Sequence, residues 1–303
     1  MNAISFSRFW FWTYGTILTV IFLLSLFLSR LPNSDPEIIF FDIGQGDSIL
    51  IRTPLFQNIL IDGGPSETDE ITSLGEVLPF FDRTIDFMIL THPHADHVRG
   101  LLAVLERYEV KGVLFTGVAY ESEFYTTFLQ NLTLKNIPVF IARNDEDFFL
   151  GNGMYLDILY PFSPLTGKHV SDINSSSIVL RFVSDKVSVL LTGDAQEKIE
   201  SQILKKGFTL SSILMKAGHH GSSTSNSEAF IDAIQPRYVV IQSGQNNNYG
   251  HPHKKILQRF SDRAIEIFRN DIQGRIKVTL TDNGCLFTLE KGNRIMITSP
   301  PFL

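Results

Sequence analysis

Disulfide chemistry is missing from this chain: its 303 residues include one cysteine, Cys285, so no intrachain disulfide can form. That leaves the compartment open, because disulfide-free proteins work on either side of a bacterial membrane. An excess of positive charge is missing as well. Lys and Arg number 26 against 32 Asp and Glu, a formal net charge of −6, which excludes a broad electrostatic footprint for nucleic acid. A bound metal pair would still attract one phosphate locally. Low-complexity tracts and internal repeats are absent too, which excludes a repeat array. What is abundant is apolar residue, 44% of the chain, enough at this length for one large core or two small ones.

Charge is also missing between Phe9 and Ser29, and Arg8 and Arg30 are the only charged residues of the first thirty. This run is rich in Phe, Trp, Leu and Ile and is long enough for a helix to span a bilayer, with Trp10, Trp12 and Tyr14 at one end where amphipathic rings prefer the headgroups. Residues 1–30 are therefore expected to form one N-terminal transmembrane helix, a single-pass cell-membrane anchor. A cleaved signal peptide fits less well, since the run exceeds the usual apolar region and no small-residue cleavage site precedes Pro32. A buried core helix comes third. The α-amino group and Arg8 favour a cytoplasmic N-terminus and an extracytoplasmic catalytic domain. Residues 31–36, Leu-Pro-Asn-Ser-Asp-Pro, read as a linker, and 37–303 as one domain.

In that domain the runs at 38–41, 48–51 and 58–61, split by turns, predict a β-meander. The apolar spacing of Val98, Leu101, Leu102 and Leu105 predicts a helix over 96–108, and helices at 123–131 and 196–205 alternate with strands at 113–115, 139–141, 178–182 and 187–191. Such alternation supports a layered α/β domain.

Histidine is absent from the first 91 residues. All eight histidines lie between 92 and 253, and seven fall in three short clusters that follow predicted strands. His92-Pro93-His94-Ala95-Asp96-His97 follows the buried run 85–91. His92 and His94, two apart, can point the same way from an extended loop, while Asp96 and His97 at the start of the next helix point to a neighbouring position. Imidazole and carboxylate suit zinc, manganese or iron, and two such ligand groups side by side can hold two metals. His219-His220-Gly221-Ser222 follows the strand-like 213–218. His219, first after that strand, is favoured as the ligand completing the site of Asp96 and His97, with His220 in a supporting or substrate role, although spacing does not separate them. Tyr249-Gly250-His251-Pro252-His253 follows the strand-like 238–241. There His251 is the candidate general acid or donor to a phosphoryl oxygen, and His253 caps the next helix or supports the site.

His-x-His-x-Asp-His after a strand resembles the second motif of the metallo-β-lactamase fold. Together with Asp42-Ile43-Gly44-Gln45-Gly46-Asp47, Leu191-Thr192-Gly193-Asp194, His219 to Ser222 and Tyr249 to His253, it resembles the C-terminal hydrolase domain of ComEC-type competence proteins over roughly 37–289. The resemblance implies a four-layer αββα sandwich. It also implies that Asp194 bridges two metals, that Asp42 and Gln45 approach the cleft, and that Asp62 supports the ligand loop by hydrogen bonds. The general pattern has a further histidine before the strand that leads to the bridging aspartate. Here that place holds Ser171-Asp172-Ile173-Asn174-Ser175-Ser176. Asp172 is the candidate oxygen ligand, with His169 as alternative, and Asn174 or a serine such as Ser176 is expected to orient water or substrate. A harder ligand set favours manganese over zinc at the His92–His94 side.

The expected metal ligands are thus His92, His94, Asp96, His97, Asp172, Asp194 and His219. Gln45, Asn174, Ser176, His220, Ser222, His251 and His253 are expected around substrate, and Asp96, His220 and His251 in catalysis. Two divalent ions, Zn or Mn, would activate water for phosphodiester hydrolysis, with DNA as one substrate. An ester or amide hydrolase, including a lactamase or phosphorylcholine esterase, is the enzymatic alternative, and a tethered binding domain with one disabled site is the non-catalytic one. One anchor cannot form a DNA channel, so DNA uptake is not implied, and no protein partner is inferable.

Overall fold

The computed structural model describes residues 3–28, 34–184, 187–281, 284–292 and 294–298. Strands β1 (Glu37–Phe40), β2 (Ile49–Arg52) and β3 (Asn58–Ile61) form the expected antiparallel meander. After helix α2 (Glu67–Val77) come β4 (Thr84–Ile85), β5 (Phe87–Ile89), α3 (Ala95–Arg107), β6 (Glu109–Val110), β7 (Val113–Phe115), α4 (Glu123–Leu134) and β8 (Val139–Ile141). The second half continues with β9 (Phe148–Gly151), β10 (Met154–Tyr160), β11 (Val179–Ser184), β12 (Val187–Leu191), α5 (Glu197–Lys206), β13 (Leu214–Lys216), α6 (Glu228–Ile234), β14 (Tyr238–Ile241), α7 (Lys254–Ser261), β15 (Glu266–Arg269) and α8 (Asn270–Gln273). The last strands are β16 (Ile276–Thr281), β17 (Gly284–Leu289) and β18 (Arg294–Thr298).

Two large sheets result. One runs β18-β17-β16-β1-β2-β3-β5-β7-β8 and the other β15-β14-β13-β12-β11-β10-β9, while β4 and β6 pair separately. The sheets face each other: Ile38, Phe40, Ile49 and Ile51 of the first share a buried cluster with Leu180, Phe182, Leu214 and Tyr238 of the second. The alternate residues Ile39, Leu50 and Leu60 pack outward on α2, α3 and α4. Val179, Leu190, Met215 and Val239 pack on α5, α6 and α7. Burial on both faces explains why the strands read as unbroken apolar runs rather than alternating ones. The expected four-layer α/β architecture is thereby observed.

Helix α1 (Ala3–Leu28) coincides with the expected anchor, and its apolar side chains are exposed, Phe11 at 74% and Phe22 at 62%. Among the described residues, however, no helix is long and apolar enough to cross a membrane. The side chains of α1 are described only over 10–25 and at Leu28. Residues 1, 2, 29 and 30 of the expected anchor and 31–33 of the expected linker lie outside the described residues.

Candidate metal centre

The site lies at one end of the sandwich, where β5 and β12 terminate in polar turns. Helix α3 begins at Ala95 with His94 as its N-cap, so Asp96 sits in the first turn, where the helix dipole favours a carboxylate. Two glycines seat this helix. A Cβ on Gly100 would lie 1.8 Å from Gly63 O, and Gly63 N donates to His97 O at 2.8 Å. That contact brings Asp62 beneath the motif. Its carboxylate accepts from Thr91 N at 2.8 Å and from the Thr91 hydroxyl at 2.7 Å, and its Oδ2 lies 2.8 Å from His97 Nδ1. Bonded this way, Asp62 fixes the ring with Nε2 pointing into the cluster, the supporting place the resemblance implied.

Asp194 is the focus. It follows β12 across Thr192 and Gly193, and its backbone N–H donates to Ser177 Oγ at 3.1 Å. Its Oδ2 lies 3.9 Å from His92 Nε2, 3.4 Å from His97 Nε2, 3.8 Å from His219 Nε2 and 3.3 Å from His220 Nε2. Ligand atoms of His92, His97 and Asp194 lie within 4.8 Å of one another, as do those of Asp96, His97 and His220, and those of Asp47, Asp194 and His220. His97 Nε2, His220 Nε2 and Asp194 Oδ1 are buried without a hydrogen-bond partner. Orphaned imidazole nitrogens converging on a carboxylate are costly unless something binds them, and nitrogen with oxygen donors is the set that holds a zinc- or manganese-like cation. The residues therefore fit a metal group.

His220, not His219, occupies the place expected for His219. Both residues adopt left-handed backbone, φ +50° and +54°, a conformation rare for bulky side chains that occurs where function requires it. The double reversal swings the second ring inward. His220 is buried, with Nδ1 3.0 Å from Gln242 O and Nε2 3.4 Å from Asp96 Oδ2. His219 stays at the rim, its Nδ1 3.1 Å from Thr224 Oγ1. The turn is braced by Asn226, whose side chain bonds both Gly218 N and Gly218 O, and by Glu200, which accepts from the backbone of Asn226 and Ser227.

The His92–His94 side is less complete. His92 Nε2 and His94 Nδ1 lie 3.1 Å apart. Asp172 is half-buried and its Oδ1 accepts from Asn174 N at 3.0 Å, outside the close ligand groups. Burial lowers the His94 pKa, and Asp96, Asp194 and Asp172 are among the carboxylates that pull it back. His169 is exposed. The Ser176 hydroxyl donates to Ile173 O, an internal bond that occupies it, whereas Asn174 Oδ1 is buried without a partner.

Asp42 departs from expectation: it pairs with Lys291 at 3.3 Å, and Asp47 takes the place at the cluster instead. The reason is the Gly44-Gln45-Gly46 turn, in which a Cβ on Gly46 would lie 2.3 Å from Asp96 O. Only glycine lets the turn press against the histidine motif, and Asp47 follows it inward. Asp47 ion-pairs with the buried Lys216, whose Nζ also donates to Gly193 O at 2.9 Å. Neither residue was singled out from sequence. The available signal was a lysine inside the apolar run 213–217, since a buried ammonium demands a carboxylate partner.

A cleft of about 320 Å³ opens over the cluster, lined by Gln45, His94, Ala95, Asp96, Tyr120, Asp194, His219, His220, Tyr249 and His251. Gln45 is thus at the cleft, and its Oε1 accepts from Gly244 N. His253 N-caps α7 by position and its Nδ1 accepts from Ser223 N at 2.9 Å, while the Ser222 hydroxyl bonds Thr224. These two support the loop rather than line the cleft.

Burial would raise the Asp194 carboxyl, yet His220 and His97 hold it well below the usual range. Burial likewise opposes protonation of His97 and His220, and Asp194 overcomes it, raising both well above the ordinary histidine value. His92 is held well below by burial. Burial, with His220 and His219 adding to it, lowers His251 to about 4.

Comparison with known proteins agrees with this geometry. The model of the metallo-beta-lactamase superfamily matches residues 41–244. ComE operon protein 3 of Bacillus subtilis is 30% identical over 281 residues, covering 88% of this chain but 35% of that protein. The chain thus spans about a third of such a relative's length. Tm1679, described as a metal-dependent hydrolase of the beta-lactamase superfamily, superposes with a TM-score of 0.52 at 16% identity over 77% of this chain and 95% of its own. CmlA of Streptomyces venezuelae, a diiron beta-hydroxylase, does so with a TM-score of 0.53 at 15% identity over 82% of this chain and 55% of its own. These two similarities show the fold.

Proposed function

We propose that this chain, which belongs to the metallo-beta-lactamase superfamily, is a metal-dependent phosphodiesterase or nuclease. The observation that carries the reading is the convergence of four histidine Nε2 atoms on one Asp194 oxygen at 3.3–3.9 Å. His92, His94 and Asp172 would hold one divalent cation and Asp96, His97 and His220 a second, with Asp194 common to both. When bound, such a pair supplies Lewis acidity at a phosphoryl centre and lowers the pKa of water.

The protein's own groups position the rest. Asp62 and the Gln242 carbonyl lock the His97 and His220 rings, so the donor set needs little reorganisation. Lys216 neutralises part of the carboxylate excess and holds the Gly193 carbonyl, which fixes the turn carrying Asp194. His251 lines the cleft and is assigned the hydrogen bond to a phosphoryl oxygen or the proton for the leaving group. No protein nucleophile is needed.

The exposed apolar side chains of α1 support the further reading that this helix enters a lipid bilayer and tethers the domain at a membrane. DNA remains one substrate of the proposed class.

The test assays full-length protein in detergent, loaded with Mn²⁺ or Zn²⁺, on bis-p-nitrophenyl phosphate, single-stranded DNA and a lactam in parallel. Turnover of the phosphodiesters is expected. Turnover of the lactam alone would transfer the reading to amide hydrolysis, and metal binding without turnover of any substrate would leave a binding domain.

A further inference from the structure

The cleft is poor in positive charge: among the described residues no lysine or arginine side chain lines it, and Lys216 is buried in an ion pair with Asp47. A phosphodiester substrate with two flanking groups therefore finds little electrostatic grip beyond the metal group itself. What the cleft offers instead is aromatic surface. Tyr120 and Tyr249 both line it, and both are exposed, at 36% and 67%.

They enter from separate parts of the fold. Tyr120 follows β7 of the first sheet, with its ring 5.9 Å from that of His94. Tyr249 follows β14 of the second and stacks on His251 at 5.7 Å with 21° between the planes. Neither loop is slack. The Asn247 side chain donates to Gly244 O and His251 O and accepts from the Tyr249 and His251 backbone N–H groups, so it closes the loop around Tyr249. The Tyr120 loop is tied to residues 165–168 by Ala119 N to Lys168 O and Gly167 N to Gly117 O, both 2.9 Å. Exposed rings on braced backbone are pre-organised surfaces, and little entropy is lost when a planar group lies on them.

We propose that Tyr120 and Tyr249 are stacking platforms for two bases of a single-stranded nucleic acid, one on each side of the phosphate held over Asp194. The proposal rests on the phosphodiesterase reading and adds the means of recognition: stacking rather than charge. Stacking tolerates any base sequence and requires unpaired bases, so the site selects strandedness and not sequence. Because few phosphates are neutralised, binding depends weakly on salt, unlike that of a basic groove.

The experiment measures binding apart from turnover. Full-length protein in detergent with Mn²⁺ is titrated against a fluorescent phosphorothioate oligothymidylate, which resists cleavage, and against the same backbone carrying abasic sites. Tyr120→Leu and Tyr249→Leu are each expected to weaken oligothymidylate binding about tenfold, the Phe variants to retain it, and the abasic strand to bind wild type as weakly as the Leu variants do. Equal affinity for the abasic strand, unchanged affinity in the Leu variants, a steep salt dependence or no binding by wild type would each overturn the proposal. Hydrolysis of bis-p-nitrophenyl phosphate, followed in parallel, reports separately on the phosphodiesterase reading.

Discussion

The two sides of the metal centre are built differently. On the side of Asp96, His97 and His220, each imidazole is buried and has its second nitrogen anchored, His97 by Asp62 and His220 by the Gln242 carbonyl. On the side of His92 and His94, His92 is buried with its Nδ1 3.1 Å from Thr91 Oγ1, but His94 is only partly buried with its Nδ1 3.1 Å from His92 Nε2, and the third donor proposed there, Asp172, is half-buried and caps its own turn. A pre-organised ligand set binds more tightly than one that must be assembled. The sides should therefore fill in sequence, the His97–His220 side first, with Asp194 joining them.

The largest effect is expected where the sides meet. Asp194→Ala should reduce metal occupancy on both and bring phosphodiester hydrolysis to background, read by metal analysis and turnover. If only one equivalent were lost, Asp194 would belong to one side.

Next come the paired substitutions on the stronger side. His220→Ala should remove the tighter equivalent, whereas His219→Ala, at the rim, should retain both and lower turnover about tenfold or less. The reverse pattern would restore the assignment made from strand order. Asp62→Asn should loosen the His97 ring and weaken the tighter equivalent about 10- to 100-fold.

On the weaker side, Asp172→Ala should weaken the second equivalent, and His169→Ala should leave it intact. Asp172→His adds an imidazole and should shift preference from manganese towards zinc. A silent Asp172→Ala with a disabling His169→Ala would withdraw the harder ligand set and the manganese preference with it.

A separate effect, on folding rather than on metal binding, lies away from both sides. Glu70 on α2 is fully buried, and burial pushes its carboxyl up to about 8 from 4.5. The unfolded chain ionises Glu70 near 4.5 while the folded chain resists until about 8, so folding stability should fall as pH rises between those values, by roughly 1.4 kcal/mol per unit from this group. Glu70→Gln should flatten that fall in urea unfolding compared across the window. An unchanged pH slope would mean that Glu70 is already ionised.

The comparison also marks what sequence could disclose. The meander and helix α3 were legible because doubly buried strands leave continuous apolar runs and an amphipathic helix leaves its spacing. His92 to His97, Asp62 and Asp194 were legible because they sit within three residues of an element's end. His220 was not, because ligand choice there depends on two left-handed residues that reverse the chain, and histidine gives no warning of φ. Asp47 and Lys216 are partners only across the sandwich, a contact that joins positions 169 residues apart in sequence. Asp42 and Asp47 flank the same short turn, and sequence does not decide which carboxylate faces the cleft, because that depends on the turn's curvature.

The central claim, two unequal sides sharing Asp194, is tested most directly by calorimetric titration of the metal-free full-length protein with Mn²⁺. Two equivalents of distinct affinity are expected, the weaker vanishing in His94→Ala and both in Asp194→Ala. One equivalent, or two that remain indistinguishable and survive Asp194→Ala, would contradict the account.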